Sequence, residues 1–248
     1  MSQEKLKDSY VDISDHFDIA WNIFLSNRQE LLWLLLAINL PLAIIGEFIP
    51  QPTPEAQSET IFYSAVFLII SLILGILLNL VIAIITEKTV LGEEITAQLA
   101  LQQGITKVPM TVVTGILLFI MLTVGFILLV VPGIYLSVIF TFFTEAIALR
   151  NSKFFNAFTY SQNLVKGQFW RVFGRLLVIG IALFLLSVAL IIPQIFLSVL
   201  LAAFLILQNA IVIILNLILV LINYLFIITF TVYFLNLDYL RNGLPRRA

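Results

Sequence analysis

Residues 195–240 read IFLSVLLAAFLILQNAIVIILNLILVLINYLFIITFTVYFLNLDYL, and these positions hold a single charge, Asp238. A bilayer core is about 30 Å thick and a helix crosses it with roughly 20 apolar residues. The stretch therefore fits two spans, or a short apolar segment (Phe196–Gln208) followed by one long span (Asn209–Leu235). Working outward, earlier apolar runs cover residues 31–49, 61–86, 110–131, 134–149 and 172–192. They are continuous, without the alternation of a lipid-facing strand, so they predict helices and not a barrel.

Cations decide the count. Short loops that carry Lys and Arg stay on the cytoplasmic side. With six spans, all 13 Lys and Arg share one side. Lys5, Lys7 and Arg28 precede span one, and Lys88 and Lys107 fall between spans two and three. Arg150, Lys153, Lys166, Arg171 and Arg175 lie between four and five or open five; Arg241, Arg246 and Arg247 follow six. The connections 50–60, 132–133 and 193–208 hold none. A seventh span would move the last three arginines across. We therefore expect an all-α, polytopic membrane protein, residues 1–248 forming one integral membrane domain. It should have six transmembrane helices, both termini cytoplasmic and a bacterial inner-membrane location. Whether Phe196–Gln208 is re-entrant, interfacial or part of a bent helix is open at this level.

Composition agrees. Of 248 residues, 61% are hydrophobic and 11% charged, with mean hydropathy +1.11. A soluble domain is about half apolar and about a quarter charged. The surplus must face lipid, which excludes a soluble enzyme, a disordered chain and a nucleic-acid binder. The net charge of −1 implies no polyionic partner, and the absence of Cys excludes disulfides and thiolate chemistry. The acidic first 30 residues are unlike a cleavable signal.

The spacing predicts three repeated units, each a surface helix, a span, a Pro-marked turn and a returning span. The first surface helix has Ser14 as a cap and Phe17, Ala20 and Phe24 on one face. The second has Leu91, Ile95 and Leu99 recurring every four residues, with Glu93-Glu94 in its first turn. The third has Ser152 as a cap and Phe154, Phe158, Ser161 and Val165 on one face. Stops are expected at Asn27, Gly104 and Gly167, and outer turns at Pro50, Pro132 and Pro193. The fold expected is thus three hairpins, each preceded by a cytoplasmic amphipathic helix. Residues 1–30 form the first such segment. Lys153, Lys166, Trp170 and Arg171 suit the lipid interface.

Within this pattern, Pro132-Gly133-Ile134-Tyr135-Leu136 opens a span. Then follow Asn156-Ala157-Phe158, Ser161, Leu164-Val165-Lys166-Gly167, Phe169-Trp170-Arg171 and Phe173-Gly174. This signature resembles bacterial six-helix membrane proteins. They include the membrane domain attached to some glycerophosphodiester phosphodiesterases and the YciC-like inner-membrane proteins. The resemblance implies a helical membrane domain and no enzyme, since in those phosphodiesterases the chemistry belongs to a separate soluble barrel. It gives Glu145 no role.

Chemistry-bearing candidates are few. Glu145, near the inner end of span four, is an intramembrane carboxyl and so a candidate proton or cation relay. The plainer expectation is a carboxyl paired with an inner-face cation, Arg150 lying five residues on. Asn209, Asn216 and Asn223 recur every seven residues and form one helical stripe. They could line a polar pathway, form an oligomer seam, or bond to other spans, with Asn39 and Asn79 as possible partners. Asp238 and Arg241 fit an i, i+3 pair. His16 should be a solvated histidine, and Glu47, Glu55 and Glu59 solvated outer-face charges. Gly75, Gly115, Gly125, Gly174 and Gly180 should permit close helix contact. We expect no catalytic residue, no metal site and no cofactor. The partners expected are membrane lipids, with a protein partner or a second copy left open, and no nucleic acid. The function expected is a scaffold, assembly or lipid-organising membrane component; the alternative is a transporter or channel for a small or lipid-like solute.

Overall fold

The computed structural model describes residue 6 and residues 10–49, 57–200 and 204–243. Among these residues every regular element is helical. A surface helix α1 (Ile13–Ser26) runs into α2 (Arg28–Glu47). The long helices α3 (Gln57–Val90) and α4 (Ala97–Leu128) follow, then the shorter α5 (Val130–Ile139), α6 (Phe143–Arg150) and α7 (Phe155–Val165). Two long helices, α8 (Phe169–Leu200) and α9 (Leu205–Asn242), complete the chain. Six helical segments are long and apolar enough to cross a membrane, with α5 and α6 together making the fourth. The protein is an all-α, polytopic membrane protein.

One end of the bundle gathers the described cations. Its contacts tie Arg150 to Glu87 and Asp238, Arg175 to Val11, Arg241 to Leu164 and Lys107 to Ala148. The well-packed core lies in this half. Leu80–Ile85 of α3 and Thr231–Tyr239 of α9 are buried at every position. Toward the other end the apolar side chains are exposed, among them Ile69 and Leu72 on α3, Phe184 and Leu185 on α8, and Ile206 on α9. A helix apolar all round is stable there only against lipid or protein. Hydroxyls inside the spans bond their own backbone, as Thr86 does to the Ile82 carbonyl and Thr229 to that of Leu225. Such hydroxyls are thereby satisfied without a partner from lipid.

Several sequence expectations are corrected. The second surface helix does not exist as a unit. The chain turns at Leu91-Gly92, runs extended to Thr96, and α4 then continues through Gly104 and Pro109 into the membrane. Gly104 does not stop the helix but lets it approach α3, since a Cβ there would lie 2.9 Å from Val81 Cγ2. Two surface helices, α1 and α7, are therefore separate. Their N-caps are Asp12 and Phe154, not Ser14 and Ser152. α1 does end at Asn27, and Gly167, with φ +85°, follows α7 as expected.

The turn between spans three and four centres on extended Leu129, with Pro132 and Gly133 in the first turn of α5, where proline removes no needed donor. Pro193 lies inside α8. Ending a helix in lipid would orphan up to four carbonyls, whereas an internal proline frees about one, so the helix continues. Phe196–Gln208 is accordingly the end of α8 and the start of α9, with residues 201–203 outside the described set. Spans five and six are longer than expected, 32 and 38 residues, or about 48 and 57 Å at about 1.5 Å per residue. In span one, a π-turn at Leu35–Asn39 precedes Pro41, which cannot donate to the preceding turn. Pro50 and Glu55 lie outside the described residues.

Candidate functional site

α6 is short because the chain breaks helix at Phe140–Phe142. Ser161 of α7, fully buried, staples that break: Phe142 N–H donates to its Oγ (3.0 Å), and the hydroxyl donates to the Ile139 carbonyl (2.8 Å). The next eight residues end at Arg150, followed by Asn151 in the left-handed conformation (φ 50°). Asn tolerates that position better than most residues. Phe154, at φ 44°, is a strained position, and the two residues make a tight link into α7.

This geometry aims Arg150 between two carboxylates on different spans. Nη1 donates to Glu87 Oε1 at 2.6 Å, and Nε donates to Asp238 Oδ2 at 2.7 Å with Nη2 2.5 Å from the same oxygen. The other Asp238 oxygen accepts from the Tyr160 hydroxyl and from Asn242 Nδ2 (2.7 Å). Lys107 donates to the Ala148 carbonyl beside this cluster. Glu87 and Asp238 against Arg150 and Lys107 sum to zero charge. Burial and the adjacent Asp238 push the Tyr160 phenol above its ordinary pKa. The cluster joins α3, α4, α6, α7 and α9 at one level and makes a clasp.

A second set of contacts binds the N-terminal segment across the same end. Asn236, on α9, donates to the Leu6 carbonyl at 2.9 Å and accepts from Val11 N–H at 3.4 Å. Arg175 Nη2 donates to the Val11 carbonyl at 2.6 Å and stacks over Tyr233. His16 is buried, not solvated: its Nδ1 lies 2.7 Å from the Asp12 carbonyl and its ring meets Tyr233 edge-on. Burial lowers its pKa to about 4.

Residues 34–239 match the model of a family described as Domain of unknown function (DUF7847). The chain belongs to this family. No curated protein and no solved structure matches it. The matched stretch includes Glu87, Lys107, Arg150, Tyr160 and Asp238 of the clasp. It excludes α1, the bound N-terminal segment and Arg241.

The other candidates are placed as follows. Glu145 is buried (1% exposed), but its Oε2 has no hydrogen-bond partner, and Arg150 serves Glu87 and Asp238 instead, so the expected pairing is corrected. Asp238 pairs with Arg150 and not with Arg241, which donates to the Lys166 carbonyl at 3.2 Å. Asn39 does bond another span, to the Tyr224 hydroxyl and not to the asparagine stripe. Asn79 has a buried, partnerless Oδ1 beside a lipid-facing groove of about 780 Å³ between α3 and α4. The stripe is not brought together with anything: Asn209 and Asn223 are exposed and Asn216 half-buried on the outer surface of α9. Gly125 packs closely, its would-be Cβ 3.3 Å from Gly133 Cα, whereas Gly75, Gly174 and Gly180 face open space. Lys153, Lys166, Trp170 and Arg171 are all exposed at the cation-rich end. Among the described residues no three His, Asp or Glu are gathered closely enough to hold a metal ion.

Sequence reasoning missed Glu87 and Lys107 as clasp members and Asn236 and Arg175 as anchors of the N-terminal segment. One signal was available. Spans two, four and six end on the same face and carry Glu87, Arg150 and Asp238 near those ends, opposite charges at one depth.

Proposed function

We propose that this chain is a non-enzymatic component of a bacterial inner membrane, both termini cytoplasmic, that organises lipid and protein neighbours at the inner face and does not move solutes. The observation that carries this reading is the clasp. The Arg150 guanidinium lies at the cation-rich end between Glu87 and Asp238, and its charge is balanced inside the bundle. A transport route needs polar groups converging on a path, often at broken helices near the bilayer centre. Here the asparagine stripe faces outward and Glu145 stands apart from the clasp. The one-sided distribution of cations supports the orientation. The Pro132-Gly133 to Phe173-Gly174 signature, similar to phosphodiesterase membrane domains and YciC-like proteins, supports a membrane module without chemistry of its own.

The test is flux. Purified protein in liposomes loaded with pH-sensitive and cation-sensitive dyes should leak protons and alkali cations no faster than empty vesicles. Flux above that level, lost in Glu145→Gln, overturns the reading in favour of a relay.

A further inference from the structure

Three cations at the cation-rich end are set apart by a shared cavity. Arg150 and Lys88 form ion pairs. Lys166, Arg171 and Arg241 form none among the described residues, yet all three line one cavity of about 540 Å³. None of its lining residues is a carboxylate. Backbone and ring contacts hold two of the three in place. Arg241 Nη1 donates to the Leu164 and Lys166 carbonyls, and the Arg171 guanidinium lies 4.2 Å from the centre of the Tyr10 ring. Gathering three like charges that have no counter-ion among the described residues is unfavourable unless an anion joins them.

The remaining lining residues say what kind of anion fits. Trp170, at the cavity edge, is 78% exposed and stands beside Phe169, which stacks on Tyr135. Aromatic rings grouped with cations at a span end are the side chains of the membrane–water boundary. Leu240 supplies an apolar wall. Gln168 donates through Nε2 to the Leu164 carbonyl at 2.7 Å, while its Oε1 is buried without a donor. The first turn of α8, which carries Phe169–Arg171, adds the positive end of a long helix.

We propose that this cavity binds the phosphodiester headgroup of an anionic phospholipid, with Lys166, Arg171 and Arg241 on the phosphate and Trp170 against the glycerol–acyl boundary. The site gives the lipid-organising part of the proposed function a ligand and rests on that reading. Of the residues expected at the lipid interface, Lys166, Trp170 and Arg171 belong to it. Lys153 does not, and Arg241, Tyr10 and Gln168 complete it.

The test uses the full chain in detergent, mixed with phosphatidylglycerol, phosphatidylcholine or sodium phosphate, with lipid retained by the protein read by native mass spectrometry. Wild type should hold phosphatidylglycerol in preference to phosphatidylcholine. Arg171→Gln and Arg241→Gln should each weaken retention about ten-fold, the size of one charge-assisted contact. Lys153→Gln, the same loss of charge outside the cavity, should leave retention unchanged. Lys166→Gln, at an exposed position, keeps the measurement decisive should Arg241→Gln not fold. Equal retention of phosphatidylcholine, an equal loss in Lys153→Gln, or displacement of the lipid by an equal concentration of phosphate would each overturn the proposal. Failure here with tight vesicles removes the lipid site alone, whereas vesicles that leak remove the broader reading.

Discussion

A single arginine carries more of the fold than any other charged residue. Breaking a buried ion pair by removing one partner costs about 3–5 kcal/mol, because the other charge is left unpaired. Arg150→Met strands both Glu87 and Asp238, so we expect it to lower unfolding stability in detergent by about that amount. Adding Glu87→Gln and Asp238→Asn should recover most of the loss, since neutral groups cost far less to bury. A triple variant no more stable than Arg150→Met would remove the clasp from the account. The asparagines divide the same way. Asn39 bonds Tyr224, so Asn39→Leu should cost about 0.6–1.7 kcal/mol. Asn223, exposed on the outer face, has no such bond, and Asn223→Leu should be neutral or stabilising in the same thermal melts.

Among the elements, α1 should show a pH-dependent attachment, through His16. His16 is buried and neutral in the folded protein, its pKa lowered to about 4 from an ordinary value of about 6.5. The unfolded chain therefore binds more protons than the folded one between those values. Stability is complete above about pH 6.5 and falls as pH drops toward 4, by up to about 3 kcal/mol. Wild type should show a steeper loss of melting temperature from pH 7 to 4.5 than His16→Phe; parallel slopes would mean that His16 is not the titrating group. α4 teaches a different lesson. Its amphipathic start, Gly104 and Pro109 suggest a surface helix, a stop and a new span. The helix runs through because Gly104 is needed against Val81 and because the continuing apolar sequence supplies more backbone bonds than Pro109 removes.

At the scale of the whole molecule, burial concentrates at the cation-rich half while the opposite half, including the α8–α9 hairpin, presents apolar side chains outward. We assign the cation-rich end to the cytoplasm. The chain lacks Cys, so single-cysteine labelling reads the threading directly. Lys153→Cys should resist a membrane-impermeant maleimide in intact cells and react after lysis, whereas Glu59→Cys in the first turn of α3 should react in both. The reverse pattern would invert the topology.

Hydropathy determined the helical class, and hydropathy together with the placement of the cations gave the six crossings, because the cost of exposing backbone or charge to lipid is paid residue by residue along the chain and needs no knowledge of neighbours. The same sequence led to the wrong partners for Glu145, Asp238 and the asparagine stripe. Which way a helix face turns, and which opposite charge shares its depth, is set by packing between spans far apart in sequence, as with Glu87, Arg150 and Asp238. Only the tertiary structure decided that Arg150 joins Glu87 and Asp238, that His16 is buried against Tyr233 while Asn236 and Arg175 hold Leu6 and Val11, and that three cations without an ion pair among the described residues meet around one cavity.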